Sequence, residues 1–512
     1  LGPILGEVNI SNMSKIDDDV STYLGNKGYT IKKENLTVHE QQLIRKELMV
    51  RPFVPKTSLQ KPSEFPIYRE SNKKIYIPRF YGIENYGEPE ACKLSKGTNI
   101  NIDFNGELRD FQKPIVETFL KHAKSHGGGL LELHTGAGKT VIGLNILSQL
   151  GVKTLIIVHK EFLLRQWLER IEQFLPSARV GKIQGNVIDI IDKDIVIGML
   201  QSLSMKDYSD KLFKDFGLTI YDEVHHIGAE VFSRVLFRNV TQYSLGLSAT
   251  MKRKDGLSKV FKMFLGEVVV KKVRKGEDNV LVKAIEYYHE DEEFSRVALN
   301  YRGQTNYTTM IKKLCEFNRR SEFILKVLDD ILKKGNDEQQ IMILAHNKSL
   351  LQYLHDAIKH RNIAPVGYYI GGMKEVDLKI SESKKVIIAT YAMAEEGLDI
   401  KTLTSLLMAT PKVDVTQSIG RILRKKRKES LVIDIIDQHP VFQRHWAKRK
   451  TFYRKQKFKV IKTDKEGYFK DDWNTIIDVK NNIFKRRKNN KPSKISIETE
   501  PLGQCMVNVN LV

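Results

Sequence analysis

The sequence predicts an α/β protein with two lobes, each built on a parallel sheet covered by helices. Three observations predict it. Short apolar runs of strand length alternate with longer runs at helical spacing, the pattern of strands buried on both faces of a sheet. The alternation occurs twice, over about 101–272 and 315–440, with a more polar connecting segment at 273–314. A glycine-rich turn, HTGAGKT at 134–140, joins a strand to a helix in the first series, where backbone N–H groups at a helix start can hold an anion.

The elements follow in order. The chain does not begin with Met, and residues 1–12 are expected to precede a native start at Met13. Over 13–100, Pro52, Pro55, Pro62, Pro66 and Pro78 interrupt β-prone runs such as KKIYIPRFYG (73–82), which predicts a small β-rich N-terminal accessory region. In the first lobe, GGLLELH (128–134) reads as a strand and TVIGLNILSQL (140–150) as a helix with Gly151 at its stop. TLIIVH (154–159) is a strand, and EFLLRQWLERIEQFL (161–175) is an amphipathic helix stopped by Pro176. DIVIGM (194–199), LTIYDE (218–223) and YSLGLSA (243–249) are further strands. In the second lobe, EFILKVLDDILKK (322–334) and KSLLQYLHDAIK (348–359) read as helices. IMILAH (341–346), VGYYIG (366–371), KVIIAT (385–390), SLLMAT (405–410) and SLVIDII (430–436) read as strands. Beyond Gln438 the chain is strongly basic, and 441–512 is expected to form a basic C-terminal tail, flexible in part, ending in FKRRKNNKPSK (484–494).

Composition bounds the function classes. Of 512 residues, 41% are hydrophobic and 29% charged, too apolar for a disordered chain. The formal net charge, 84 − 62 = +22, favours polyanionic partners such as nucleic acid. Cys92, Cys315 and Cys505 lie far apart and form no CxxC pair, which argues against a zinc site or disulfide framework and for an intracellular compartment. No apolar run reaches the roughly 18–20 residues that span a bilayer, so no membrane partner is expected. LGPILGEVNISN lacks the pattern of a signal peptide.

The chemistry is carried by two motifs. In HTGAGKT, Gly136 and Gly138 let the backbone of His134, Thr135, Ala137 and their neighbours wrap phosphate oxygens. Lys139 is placed to hold the β- and γ-phosphates of ATP, and the Thr140 hydroxyl to ligate Mg²⁺. Where the general P-loop pattern has its first glycine, this chain has Leu133. YDEVHH (221–226) follows the strand LTIY, so Asp222 can reach the Mg²⁺ shell, and Glu223 is the candidate base for the attacking water. His225 is expected to link the ATP site to the next motif rather than to bind metal.

Read in order, these segments resemble the superfamily 2 helicases over about 108–436. The resemblance implies two RecA-like P-loop lobes with ATP between them. LRDFQ (108–112) resembles the adenine-contacting segment, with Arg109 and Gln112 at the nucleotide and Gln112 reading the adenine edge. LSAT (247–250) resembles motif III, which couples ATP state to lobe closure through Ser248 and Thr250. ATYAMAEEGLDI (389–400) resembles motif V, with Gly397 and Asp399 facing nucleotide. QSIGRILR (417–424) resembles motif VI, with Gln417 near the γ-phosphate and Arg421 and Arg424 as arginine fingers. Lys160, Arg165 and Gln166 in motif Ia and Thr390 in motif V are candidate contacts to a nucleic-acid backbone.

DEVHHIGAEVFSRVL (222–236) and LGLSATMKRKDG (245–256) resemble the xeroderma pigmentosum group B helicases, which act on duplex DNA. MATPKVDVTQSIGRILRKKRKESLVIDIID (408–437) and HWAKRKTFYRKQKF (445–458) resemble helicases of large cytoplasmic DNA viruses, including the poxvirus transcript-release group. Where relatives often have Pro in motif Ia, this chain has His159. The resemblance implies an ATP-dependent 3′–5′ helicase or translocase on single-stranded or duplex DNA. It implies a role in viral transcription or DNA processing in the host cytoplasm or virion. An RNA helicase remains open, as does a motor subunit serving a viral RNA polymerase or a nuclease. No PD…ExK nuclease motif is evident. Phe452, Tyr453 and Phe458 in the basic tail either stack bases among phosphate-binding cations or belong to a segment that docks on another protein.

Overall fold

The computed structural model describes residues 20–484 apart from 54–63, 227–229, 254, 273–278, 397–399, 401, 423–428 and 479–482. The N-terminal region carries a five-stranded sheet of short strands, from Thr22–Gly25 to Ala91–Cys92. It is less purely β than the proline pattern implies. Helix Val38–Glu47 starts at a capping box, in which the Thr37 side chain accepts from the Glu40 N–H and the Glu40 side chain accepts from the Thr37 N–H. Pro78 precedes helix Arg79–Tyr86 rather than opening a loop, because its fixed φ suits a helix start. Arg79 is 9% exposed and donates to the carbonyls of Gln242 (3.1 Å) and His126 (3.2 Å), which fastens this region to the first lobe.

The first lobe has eight strands, in the order Val187–Ile188, Val180–Gln184, Ile195–Met199, Thr154–Val158, Leu218–Asp222, Tyr243–Ser248, Gly128–Leu133 and Val268–Lys272. All neighbours are parallel except the first pair. The strand leading to HTGAGKT and the strand ending at Asp222 therefore flank the strand ending at Ser248. All three motifs leave the sheet at its carboxyl edge, where open α/β sheets bind ligands.

The second lobe is larger than its apolar alternation suggests. Its sheet has nine strands, in the order Val366–Tyr369, Val386–Thr390, Ile341–Ala345, Ser405–Met408, Ser430–Asp437, Val280–Tyr287, Lys459–Asp464, Asn474–Asp478 and Ile483–Phe484. Two expectations are corrected by that order. The connecting segment at 273–314 contains the strand Val280–Tyr287, which pairs in parallel with Ser430–Asp437 and Lys459–Asp464 in the middle of the sheet. Lys283 and Glu286, which interrupt its apolar run, disguised it. Nor is 441–484 a tail: helix Pro440–Lys455 and three strands complete the lobe. Tyr453 and Phe458 are 0% and 2% exposed, so neither is available to stack on bases.

Two buried ion pairs hold this lobe together. Arg320 donates to both carboxylate oxygens of Asp437 at 2.6 and 2.9 Å, and to the Ala409 carbonyl at 2.8 Å. Arg449 donates to both oxygens of Asp434 at 2.8 Å, and the Tyr453 hydroxyl adds a third bond to Asp434 at 2.7 Å. Every charge is matched by fork geometry, the condition under which buried ions are tolerated.

Candidate active site and nucleic-acid cleft

Helix Lys139–Leu150 begins directly after the glycine-rich turn. Gly136 and Gly138 take φ values of 86° and 78°, a region that L side chains rarely enter. A Cβ on Gly138 would lie 2.5 Å from Gln112 Nε2. Gln112 is buried against this turn. It donates to the Ala137 carbonyl at 2.8 Å and accepts from the Arg109 N–H at 2.9 Å. In this arrangement Gln112 and Arg109 brace the phosphate loop. Leu133 is wholly buried in the lobe core, which accounts for an apolar residue where the general pattern has glycine. The His134 ring contacts the Thr135 carbonyl at 2.9 Å, and Thr140 is half-buried on the helix's first turn.

Asp222 ends its strand 8% exposed. It accepts from Trp167 Nε1 at 2.9 Å and from the Glu223 N–H at 3.0 Å. Burial, and then the neighbouring Glu223 carboxylate, push the Asp222 carboxyl above its ordinary range, while Lys139 pulls it down. Glu223 sits at φ 47°, an uncommon conformation for a non-glycine residue and one that clusters at functional sites. Its Oε1 lies 2.5 Å from Lys139 Nζ.

From Glu223 a polar chain runs to the next motif. His225 Nδ1 lies 3.4 Å from Glu223 Oε2 and 2.8 Å from the Ser248 hydroxyl. That hydroxyl donates to the Thr250 carbonyl at 2.7 Å and accepts from the Thr250 N–H at 3.2 Å. The His225, His226 and His159 rings lie against one another in a tilted row, with centroids 4.2 and 4.1 Å apart. Burial depresses their pKa values to about 4, about 3 and about 4 respectively, so the rings are neutral near pH 7. Among the described residues no cluster of three His, Cys, Asp or Glu is arranged to hold a metal ion.

The second lobe meets this site through helix Thr416–Ile422, which carries the half-buried Gln417. A Cβ on Gly420 would lie 3.1 Å from Thr135 Cβ, so this helix touches the phosphate loop across the interlobe cleft. The Arg421 side chain, and Gly397, Asp399 and Arg424, lie outside the described residues.

A second opening between the lobes has a volume of about 640 Å³. Lys160, Arg165, Gln166 and Thr390, chosen separately from the sequence, all line it, with Lys348 and Lys379 from the second lobe.

Three residues of the site were not singled out by sequence reasoning. Trp167 fits the apolar stripe of its helix, so its spacing marks core and hides the bond to Asp222. Arg253 donates to the His225 carbonyl and to Asp255 (2.9 Å), a role visible only once the turn after Thr250 is folded. Lys348 carried no signal beyond its charge.

Known proteins complete the assignment. Residues 105–253 match the family described as Type III restriction enzyme, res subunit. A putative ATP-dependent RNA helicase of Acanthamoeba polyphaga mimivirus is 34% identical over 461 residues, covering 87% of each chain. The chain belongs to the superfamily 2 helicases. A putative ATP-dependent RNA helicase of African swine fever virus is 27% identical over 381 residues, covering 69% of this chain and 74% of the relative. The DNA 3′-5′ translocase XPB2 of Sulfurisphaera tokodaii is 28% identical over 371 residues, covering 64% of this chain and 81% of the relative. This helicase is thus an ATP-hydrolysing enzyme of the xeroderma pigmentosum group B-like type with viral relatives, and nucleic acid is its partner.

Proposed function

We propose that this helicase moves on or unwinds DNA in the 3′–5′ direction, with ATP hydrolysed on one side of the interlobe cleft and a strand gripped on the other. The observation that carries the reading is the Gly420–Thr135 contact, which brings the motif VI helix of one lobe onto the phosphate loop of the other. Lys139 would leave Glu223 for the β- and γ-phosphates when ATP binds, freeing Glu223 to orient and deprotonate water. Arg421 and Arg424 would act from the second lobe on the developing phosphoryl charge, and Gln417 near the γ-phosphate. His225, Ser248 and Thr250 would report the state of the γ-phosphate to the strand-gripping side. Gly397 and Asp399 would face the nucleotide.

The donor set fits Mg²⁺. Asp222 is a desolvated oxygen donor beside a second carboxylate, an arrangement that calls for a cation, and Thr140 is a hydroxyl on the facing helix. When bound, the ion neutralises phosphate charge, and Asp222 and Thr140 are the residues that would hold it.

DNA is favoured by the YDEVHH and LGLSATMKRKDG segments and by the likeness to XPB2; the printed names of the mimivirus and African swine fever relatives favour RNA. The viral relatives support a role in viral transcription or DNA processing in the host cytoplasm. The deciding experiment is ATP turnover by the full chain with single-stranded DNA, duplex DNA and RNA of one sequence. Stimulation by DNA above that by RNA is expected, and stimulation by RNA alone would assign the RNA reading.

A further inference from the structure

Arg79 joins the N-terminal region to the first lobe with a buried charge that, among the described residues, no carboxylate matches. Its two Nη atoms donate to the carbonyls of Thr241, Gln242 and His126, and burial works against the charged form. Its Nε finds no hydrogen-bond partner among the described residues. Two other buried polar atoms share that condition, Asn239 Oδ1 and Ser244 Oγ, on residues 3% and 6% exposed. Arg79, Asn239 and Ser244 all line one cavity of about 10 Å³. It lies where helix Arg79–Tyr86, the end of helix Glu230–Arg238 and the start of strand Tyr243–Ser248 meet. The surroundings are shaped to these groups. A Cβ on Gly127 would collide with the Arg79 guanidinium and a Cβ on Gly128 with the Ser244 hydroxyl, so two successive glycines make room for both.

The three atoms differ in kind, and the difference decides what fits between them. Arg79 Nε only donates. Asn239 Oδ1 only accepts, because Asn239 Nδ2 donates to the Val235 carbonyl at 3.2 Å, and turning the amide over would set two oxygens against each other. The Ser244 hydroxyl does either. An anion would satisfy Nε but face the lone pairs of Oδ1. A cation would be repelled by the guanidinium. Water accepts and donates at once, and about 10 Å³ is room for a water molecule. Cavities that stay dry in proteins are lined by apolar groups, which this one is not.

We propose that a structural water molecule occupies this cavity, accepting from Arg79 Nε, donating to Asn239 Oδ1 and sharing a third bond with the Ser244 hydroxyl. It completes the joint between the N-terminal region and the strand whose far end is Ser248. The test is a crystal structure of the full chain, with and without a bromide soak. The expected result is one rounded density peak in the cavity, about 2.7–3.2 Å from all three atoms, and no bromide signal there. A cavity without density overturns the proposal, and a bromide peak at Arg79 Nε overturns it in favour of an anion. The same joint is read in solution from the urea midpoints of Ser244→Ala, Asn239→Ala and the double variant. These two side chains exchange no hydrogen bond with each other, so a shared water is what links them. Removing one partner already weakens that link, and the double variant is expected to lose less than the two single losses combined. Additive losses overturn the proposal. Asn239→Leu, which keeps the volume, takes the place of Asn239→Ala should that fail to fold.

Discussion

Trp167 donates its indole N–H to Asp222 at 2.9 Å and so ties the candidate ATP site to the opposite side of the cleft. The tryptophan belongs to helix Glu161–Phe174, which also presents Arg165 and Gln166 to the 640 Å³ opening. A strand that shifts this helix would shift a group fixed to the Asp222 carboxylate. The path is a single helix and one hydrogen bond.

Trp167→Phe should therefore uncouple the two sites. The ring still fills the core, but a hydrogen bond to a charged group, worth about 1.5–3 kcal/mol, is lost. ATP binding is expected to persist and stimulation of turnover by nucleic acid to fall at least severalfold. Titrating oligonucleotide into an ATPase assay reads this, and full stimulation would remove Trp167 from the coupling path.

Gly420→Val tests the meeting of the lobes. Its Cβ would press on Thr135 at 3.1 Å, and its methyl groups would hold the second lobe away from the phosphate loop. The expected result is a loss of kcat of about tenfold or more with little change in nucleotide affinity, the pattern of an interaction made only in the closed state. Equal kcat would show that closure does not pass through this contact.

Arg449→Ala should destabilise the second lobe by about 3–5 kcal/mol, because Asp434 would be left charged and buried with, among the described residues, only the Tyr453 hydroxyl as its remaining side-chain partner. Urea unfolding measures the loss. A change below about 1 kcal/mol would mean that Asp434 finds water or a proton at little cost.

Acid should weaken the fold in a defined window. His159, His225 and His226 titrate near 6.5 when unfolded but are held at about 4, about 4 and about 3 by burial in the native chain. Between those limits the unfolded state binds more protons, so stability falls as pH drops from about 6.5 towards 4. Asp222, shifted upward, acts in the opposite sense near the bottom of that range. The urea midpoint should decline steadily through the window, and His226→Gln should flatten the decline. A flat profile in the unaltered protein would contradict the neutral histidine row.

The sequence exposed the parts of the fold that repeat a local rule. Apolar strands such as Thr154–Val158 and Ile341–Ala345 are buried on both faces, and HTGAGKT needs glycine at fixed positions. Val280–Tyr287 was hidden because Lys283 and Glu286 interrupt its apolar run, although it pairs with two strands inside a nine-stranded sheet. Helix Pro440–Lys455 read as a tail because six of its 16 residues, PVFQRHWAKRKTFYRK, are Lys or Arg, and one of its four buried anchors, Arg449, is among them. At the candidate site, HTGAGKT and YDEVHH stand out in the sequence, but the Trp167–Asp222 bond and the Gln112–Ala137 bond do not. Both join residues far apart in sequence whose local patterns announce only core or turn.

The central claim is that Glu223, paired with Lys139 at 2.5 Å, activates water once ATP takes the lysine away. Its most direct test is single-turnover hydrolysis by Glu223→Gln beside a measurement of bound ATP. The account predicts that hydrolysis falls by about 10²–10⁴-fold, the range for a lost general base, while ATP remains bound. Hydrolysis at a rate comparable to that of the unaltered protein, with ATP bound equally well, would contradict it.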